Sequence, residues 1–251
     1  MKRLALGILV LFVITFSNAH SQSVYVKLGG GYGLGMATQG ISNHPTAQDW
    51  DFEYGSFGEG MNFQAGFGYN FNPNISIELA GSYTIGKKFE YISNNDPIVY
   101  SNKLYANTIS IMPSAIIKAP MKDITPYLRL GMVIGIPTKY QEQTQSGTGA
   151  QTGTFINKES GGLALGFQGA GGVTFKASKQ LGIFAEIFGI GMNYSPSKRE
   201  NTENYTGLAL QPTITYSEAG SFGNPLSSLP AQRYSFSSFG MNVGLTYTFG
   251  K

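Results

Sequence analysis

Residues 235–251 read SFSSFGMNVGLTYTFGK. Every second residue of the final part is apolar: Phe239, Met241, Val243, Leu245, Tyr247 and Phe249. The residues between them, Gly240, Asn242, Gly244, Thr246 and Thr248, are small or polar. A period of two marks a strand with one apolar face. In a water-soluble sheet that face would pack on a helical layer or a second sheet. No amphipathic helical pattern occurs after the first twenty residues. The apolar faces therefore need a solvent other than protein or water, and a lipid bilayer is the candidate.

Seven further segments alternate in the same way, at roughly 24–37, 59–71, 75–92, 103–119, 125–139, 160–176 and 181–195. Pro113 falls inside one of them and predicts a bulge there. The gaps between segments sort by length. Those near residues 72–74, 120–123 and 177–180 are short. The others are long and rich in Ser, Thr, Asn, Gln and Gly, the longest spanning about 196–234. A barrel threaded from one side of a membrane sorts its turns this way, short on the periplasmic side and long outside. Every segment exceeds the roughly 9–11 residues that a tilted strand needs to cross. Closure pairs every backbone group that lipid cannot satisfy. The expected fold is an all-β, transmembrane, up-and-down antiparallel barrel of eight strands. Residues 205–217, YTGLALQPTITYS, have strand character of their own, so ten strands is the alternative. Tyr69, Phe71, Phe175, Tyr247 and Phe249 fall at strand ends on the short-turn side, where an interfacial aromatic girdle belongs.

Composition agrees. The 251 residues include 34 Gly, and charged residues are 12%, roughly half the usual share. The absence of Cys excludes a disulfide framework, thiolate metal sites and a lipoprotein anchor. The net charge of +3 includes Lys2 and Arg3, and no basic run follows them, so nucleic acid is not an expected partner. Lys2 and Arg3 precede the apolar run LALGILVLFVITF and then Ser17, Asn18, Ala19, His20 and Ser21. That layout predicts a secretory signal peptide over residues 1–21 and a barrel domain over 22–251. Cleavage after Ala19 or after Ser21 fits, the latter giving Gln22 as the mature start.

Strand parity turns Lys27, Glu78, Arg129 and Glu186 inward, together with Gln64 and Gln168. An eight-stranded barrel is just wide enough for side chains to fill. Paired charges are tolerable there and unpaired ones are not. These six residues are expected to form a polar plug and not a conducting channel.

The stretches TPYLRLGMVIG, ISIELAGSY, LGIFAEIFG and the terminal GLTYTF resemble strands of small outer-membrane β-barrel proteins, the porin-like family that includes the OmpA barrel and OmpX. The resemblance spans nearly the whole mature chain. It implies an integral outer-membrane protein of a Gram-negative envelope, surrounded by outer-membrane lipids and lipopolysaccharide. It also implies insertion by the barrel assembly machinery and a monomeric state. Two departures stand out: Gly250 and Lys251 follow Phe249, where the family ends on an aromatic residue, and no peptidoglycan-binding domain follows the barrel.

Chemistry-bearing motifs are few. Gly81, Gly86 and Lys87 approach a phosphate loop, but Lys88 stands where Ser or Thr is required and the stretch lies in a strand. His44, close to Asp49, Asp51 and Glu53, is the lone His after residue 21. A lipid-modifying hydrolase would need it beside a nucleophile. The three carboxylates around Trp50 and Phe52 lack a rigid loop framework for Ca²⁺. No catalytic, cofactor-binding or metal residue is assigned, and no enzyme activity is expected. The expected role is structural and interactive, with the long loops engaging an extracellular partner. The alternatives are transport of small hydrophobic molecules through a lateral opening near Pro113 and Pro137, and modification of lipid A.

Overall fold

The computed structural model describes residues 22–37, 39–45, 50–95, 98–147, 153–203, 213–215 and 233–249. It contains β1 (Ser23–Gly35), β2 (Gln39–Pro45), β3 (Trp50–Gly55), β4 (Gly60–Asn70), β5 (Ile75–Gly86), β6 (Phe89–Asn95), β7 (Ile98–Lys118) and β8 (Ile124–Gly147). The chain continues with β9 (Gly153–Ser160), β10 (Ala164–Lys176), β11 (Leu181–Tyr194), β12 (Lys198–Glu203), β13 (Thr213–Thr215), β14 (Tyr234–Ser235) and β15 (Ser238–Phe249).

Eight strands form a closed antiparallel barrel in the order β1, β4, β5, β7, β8, β10, β11, β15. The last strand seals it, pairing with β1 from Val24↔Phe249 to Gly35↔Ser238 and with β11 from Leu181↔Tyr247 to Ile190↔Ser238. The two-residue period places its apolar side chains outward: Leu130 is 67% exposed, Val243 59% and Ile183 49%. Among the described residues no second protein layer covers them, so the belt they form meets hydrocarbon.

The short turns are held by side chains that capture loose backbone donors. Asn72 Oδ1 accepts from the backbone N–H of Asn74 and of Ile75, each at 2.8 Å. Ser178 Oγ does the same for Gln180 and Leu181. Local side-chain bonds of this kind are why Asn and Ser suit tight turns. Outside these turns sit the edge-to-face ring pairs Tyr69–Phe71 and Tyr247–Phe249, with centroids 5.1 and 4.9 Å apart.

Two expectations change, and one alternative falls. Pro113 makes no bulge. Pairing of β7 with β8 lapses at Met112 and Pro113 but resumes in the same register, Ile111↔Ile134 and then Ser114↔Gly131. Gly131 explains the accommodation, since a Cβ there would collide with the Pro113 carbonyl oxygen. The expected strand over 75–92 breaks after Gly86, where the Lys87 N–H turns to the Glu59 carbonyl at 2.8 Å. The chain then re-enters as β6. The wall has eight strands and not ten: of residues 205–217 only β13 is described, and it pairs with β12, outside the wall.

Among the described residues, the long-loop side carries regular sheet beyond the wall. β7 and β8 stay paired as far as Ile98↔Gly147. β6 adds to β7, while β9, β12 and β13 add in turn beside β8. A sheet of six strands thus rises from one side of the barrel.

Candidate functional site

The wall brings five of the six expected interior residues together. Lys27 comes from β1, Gln64 from β4, Glu78 from β5, Arg129 from β8 and Glu186 from β11. All are buried, with Arg129 1% exposed. Glu186 is the centre. Its Oε2 accepts from Lys27 Nζ at 2.9 Å and the Tyr127 hydroxyl at 2.8 Å. Its Oε1 accepts from Arg129 Nη2 at 2.6 Å, and from Gln64 Nε2 and Asn242 Nδ2 at 3.1 Å each. Glu78 accepts from Arg129 Nη1 at 3.1 Å and the Tyr25 hydroxyl at 2.9 Å. Two cations and two carboxylates cancel, and most of their hydrogen-bonding capacity is used. That is the condition under which buried ions are tolerated. Gln168 lies in the same lumen but joins a different contact, donating to Ser114 Oγ at 2.9 Å.

Tyr25, Tyr127 and Asn242 complete the network, and sequence reasoning did not assign them to it. The available signal was parity: Tyr25 and Tyr127 each stand two residues before an inward cation on the same strand. Glycine makes room for their rings. A Cβ on Gly68 would run into the Tyr25 ring, and one on Gly172 would lie 2.8 Å from the Tyr127 ring.

A second feature carries no period-two signal. At the long-loop mouth β14 continues the pairing of β15 with β11, Tyr194↔Tyr234 and Asn193↔Ser235, and residues 56–57 fold against residues 235–237. Ser56 Oγ donates to the carbonyls of Ser235 and Ser237 at 3.1 and 2.7 Å, and the Phe57 N–H to the Ser235 carbonyl at 3.0 Å. Phe57 then packs against Phe89, Tyr234 and Phe236, and Phe236 against Tyr194. The result is an apolar cap above the polar network. The voids left between them are about 30 and 20 Å³, room for single waters. Asn62 Nδ2, Arg129 Nε and Asn242 Oδ1 have no protein partner, and their residues line the larger void.

Above the cap an ion cluster ties the projecting sheet together. Glu159 of β9 accepts from Lys139 Nζ of β8 at 3.1 Å and from Arg199 Nε of β12 at 2.9 Å. Burial pushes the Glu159 carboxyl up, but Lys139 and Arg199 outweigh it and hold the group at about 2. The Lys139 ammonium also lies 4.0 Å from the centroid of the Tyr234 ring, linking this sheet to the cap.

The phosphate-loop candidate stays apart from these clusters. Gly81 and Gly86 lie within β5, and Lys87 pairs with Glu59 at 3.0 Å, so the glycines form no phosphate loop. Asp49 lies outside the described residues, and of His44, Asp51 and Glu53 only the backbone is described, on β2 and β3. Among the described residues no cluster of His, Cys, Asp or Glu could hold a metal ion.

The family model of the outer membrane protein beta-barrel domain matches residues 6–217, more than half of the chain. No curated protein matches the sequence. Among solved structures, a major outer membrane protein of Thermus thermophilus is similar at 10% identity and a TM-score of 0.42, over 92% of this chain and 100% of that one. CarO2 of Acinetobacter baumannii is similar at 13% identity and a TM-score of 0.35, over 90% and 99%. The attachment invasion locus protein Ail of Yersinia pestis is similar at 11% identity and a TM-score of 0.34, over 91% and 97%.

Proposed function

The chain belongs to the outer membrane protein beta-barrel domain family, and from that premise we propose that it is a non-conducting, non-enzymatic barrel that holds a binding sheet outside the cell. The observation that carries this reading is a contrast between its two halves. The lumen is filled by the Glu186-centred network and the Phe57 cap, while β7 and β8 run on beyond the wall and recruit four more strands. Among the described residues β6 and β13 end that sheet on its two sides. Open strand edges take up extended polypeptide by adding a strand. The partner is accordingly an extended segment of an extracellular protein, an adhesion-type contact.

The proposal includes removal of residues 1–21 as a signal peptide, insertion by the barrel assembly machinery among outer-membrane lipids and lipopolysaccharide, and action as a monomer. A closed wall leaves no strand edge within the membrane for a second copy. A lateral opening for hydrophobic solutes has less support, because β7 and β8 keep one register across Pro113 and pair at Thr108↔Pro137.

The test is replacement of residues 140–158, which carry the β8–β9 hairpin, by a tight turn. Cells producing the variant should lose adherence to extracellular protein surfaces, while heat-dependent gel migration still reports a folded barrel. The purified wild-type protein should give no discrete currents in planar bilayers, and the lipid A of producing cells should keep its mass. Unchanged adherence, stepwise currents or altered lipid A would overturn the proposal.

A further inference from the structure

At the short-turn end the lumen opens into a cavity of about 260 Å³. Its charged lining side chains are Lys27, Glu78 and Lys118. Glu78 is already engaged by Arg129 and Tyr25, and Lys27 by Glu186. Lys118 is different. Its ammonium donates to Asn70 Oδ1 at 2.6 Å and lies 4.7 Å from the centroid of the Tyr25 ring. Among the described residues no carboxylate stands within ion-pair distance of it, and Glu78 of the same cavity attracts it from further away. An ammonium has three donors, and Asn70 takes one. The hydroxyl-bearing residues Thr125, Thr174, Thr246 and Thr248 line the same cavity.

We propose that this vestibule binds a small oxyanion, a carboxylate or phosphate group entering from the short-turn side, with Lys118 as its charged anchor and the threonine hydroxyls as neutral donors. Lys27 and Arg129 are cancelled by Glu186 and Glu78, so Lys118 leaves the cavity with one positive charge to spare. A cation in a recess attracts an anion more strongly than one on open surface, because less water screens the pair. Asn70 and the Tyr25 ring hold the ammonium in position before any ligand arrives, which lowers the ordering cost of binding. The site stands at the opposite end of the barrel from the projecting sheet. It holds or fails independently of the extracellular role.

The test is an NMR titration of the mature chain in an uncharged detergent, with inorganic phosphate, succinate and glycerol as probes. Phosphate, succinate or both should shift the Tyr25 and Thr246 resonances saturably, and glycerol should not. Lys118→Gln should weaken anion binding about tenfold, and Lys118→Arg should keep it within about threefold. Tighter phosphate identifies a phosphorylated ligand and tighter succinate a carboxylate one, and either result supports the site. No saturable shift with either anion, an equal response to glycerol, or unchanged affinity in Lys118→Gln would overturn it.

Discussion

Arg129 Nη2 lies 2.6 Å from Glu186 Oε1 across the lumen, joining β8 to β11, strands separated in the wall by β10. The same guanidinium reaches Glu78 on β5 through Nη1. One side chain therefore ties together three strands of which no two are neighbours. Arg129→Leu should destabilise the barrel by about 3–5 kcal/mol, since it leaves buried carboxylates short of a counter-charge. Urea unfolding in micelles measures this. Adding Glu186→Gln should recover part of the loss, and single-channel recordings should stay silent in both variants.

Gly68 and Tyr25 share one volume, because a Cβ on Gly68 would enter the Tyr25 ring. Gly68→Ala should cost about 1–3 kcal/mol by overpacking. In a Tyr25→Ala background the same change should cost close to nothing. A double-mutant cycle of unfolding free energies reads the coupling, and additive effects would mean that the ring and the glycine do not compete for space.

The Glu159 carboxyl is held at about 2, below its unfolded value, so its contribution to stability is present above pH ~4.3 and lost as pH falls toward 2. Hydrogen exchange of β9 and β12 should accelerate over that window while the barrel wall stays protected. Glu159→Gln should raise exchange of the same strands already at neutral pH and remove the acid transition.

Leu130 is 67% exposed on the outer face of β8, within the belt that meets hydrocarbon. Leu130→Arg should cost about 2–4 kcal/mol when the protein folds into vesicles. A folding free energy equal to wild type would mean that this face is not in the membrane core.

The wall was legible from the chain alone because side-chain parity along a strand is a local property of the backbone. Leu245 faces out and Asn242 faces in whatever the neighbouring strands do, and alternating turn lengths then give strand count and sidedness. Which inward groups meet is a different matter. It depends on the register of all eight pairings around the barrel, a sum that no single segment carries. Parity alone turned Gln168 and Gln64 inward alike, yet closure sends Gln64 to Glu186 and Gln168 to Ser114. The cap was hidden for the same reason. Ser56, Phe57 and Phe236 lie in short non-repeating stretches far apart in the chain, and only the closed barrel brings their backbones within hydrogen-bonding distance. Local alternation was thus enough to specify a lipid-facing tube with polar contents. That the contents interlock, that the tube is capped on one side, and that a cavity stays open on the other emerged only in three dimensions, because contacts across the lumen exist only after the last strand has paired with the first.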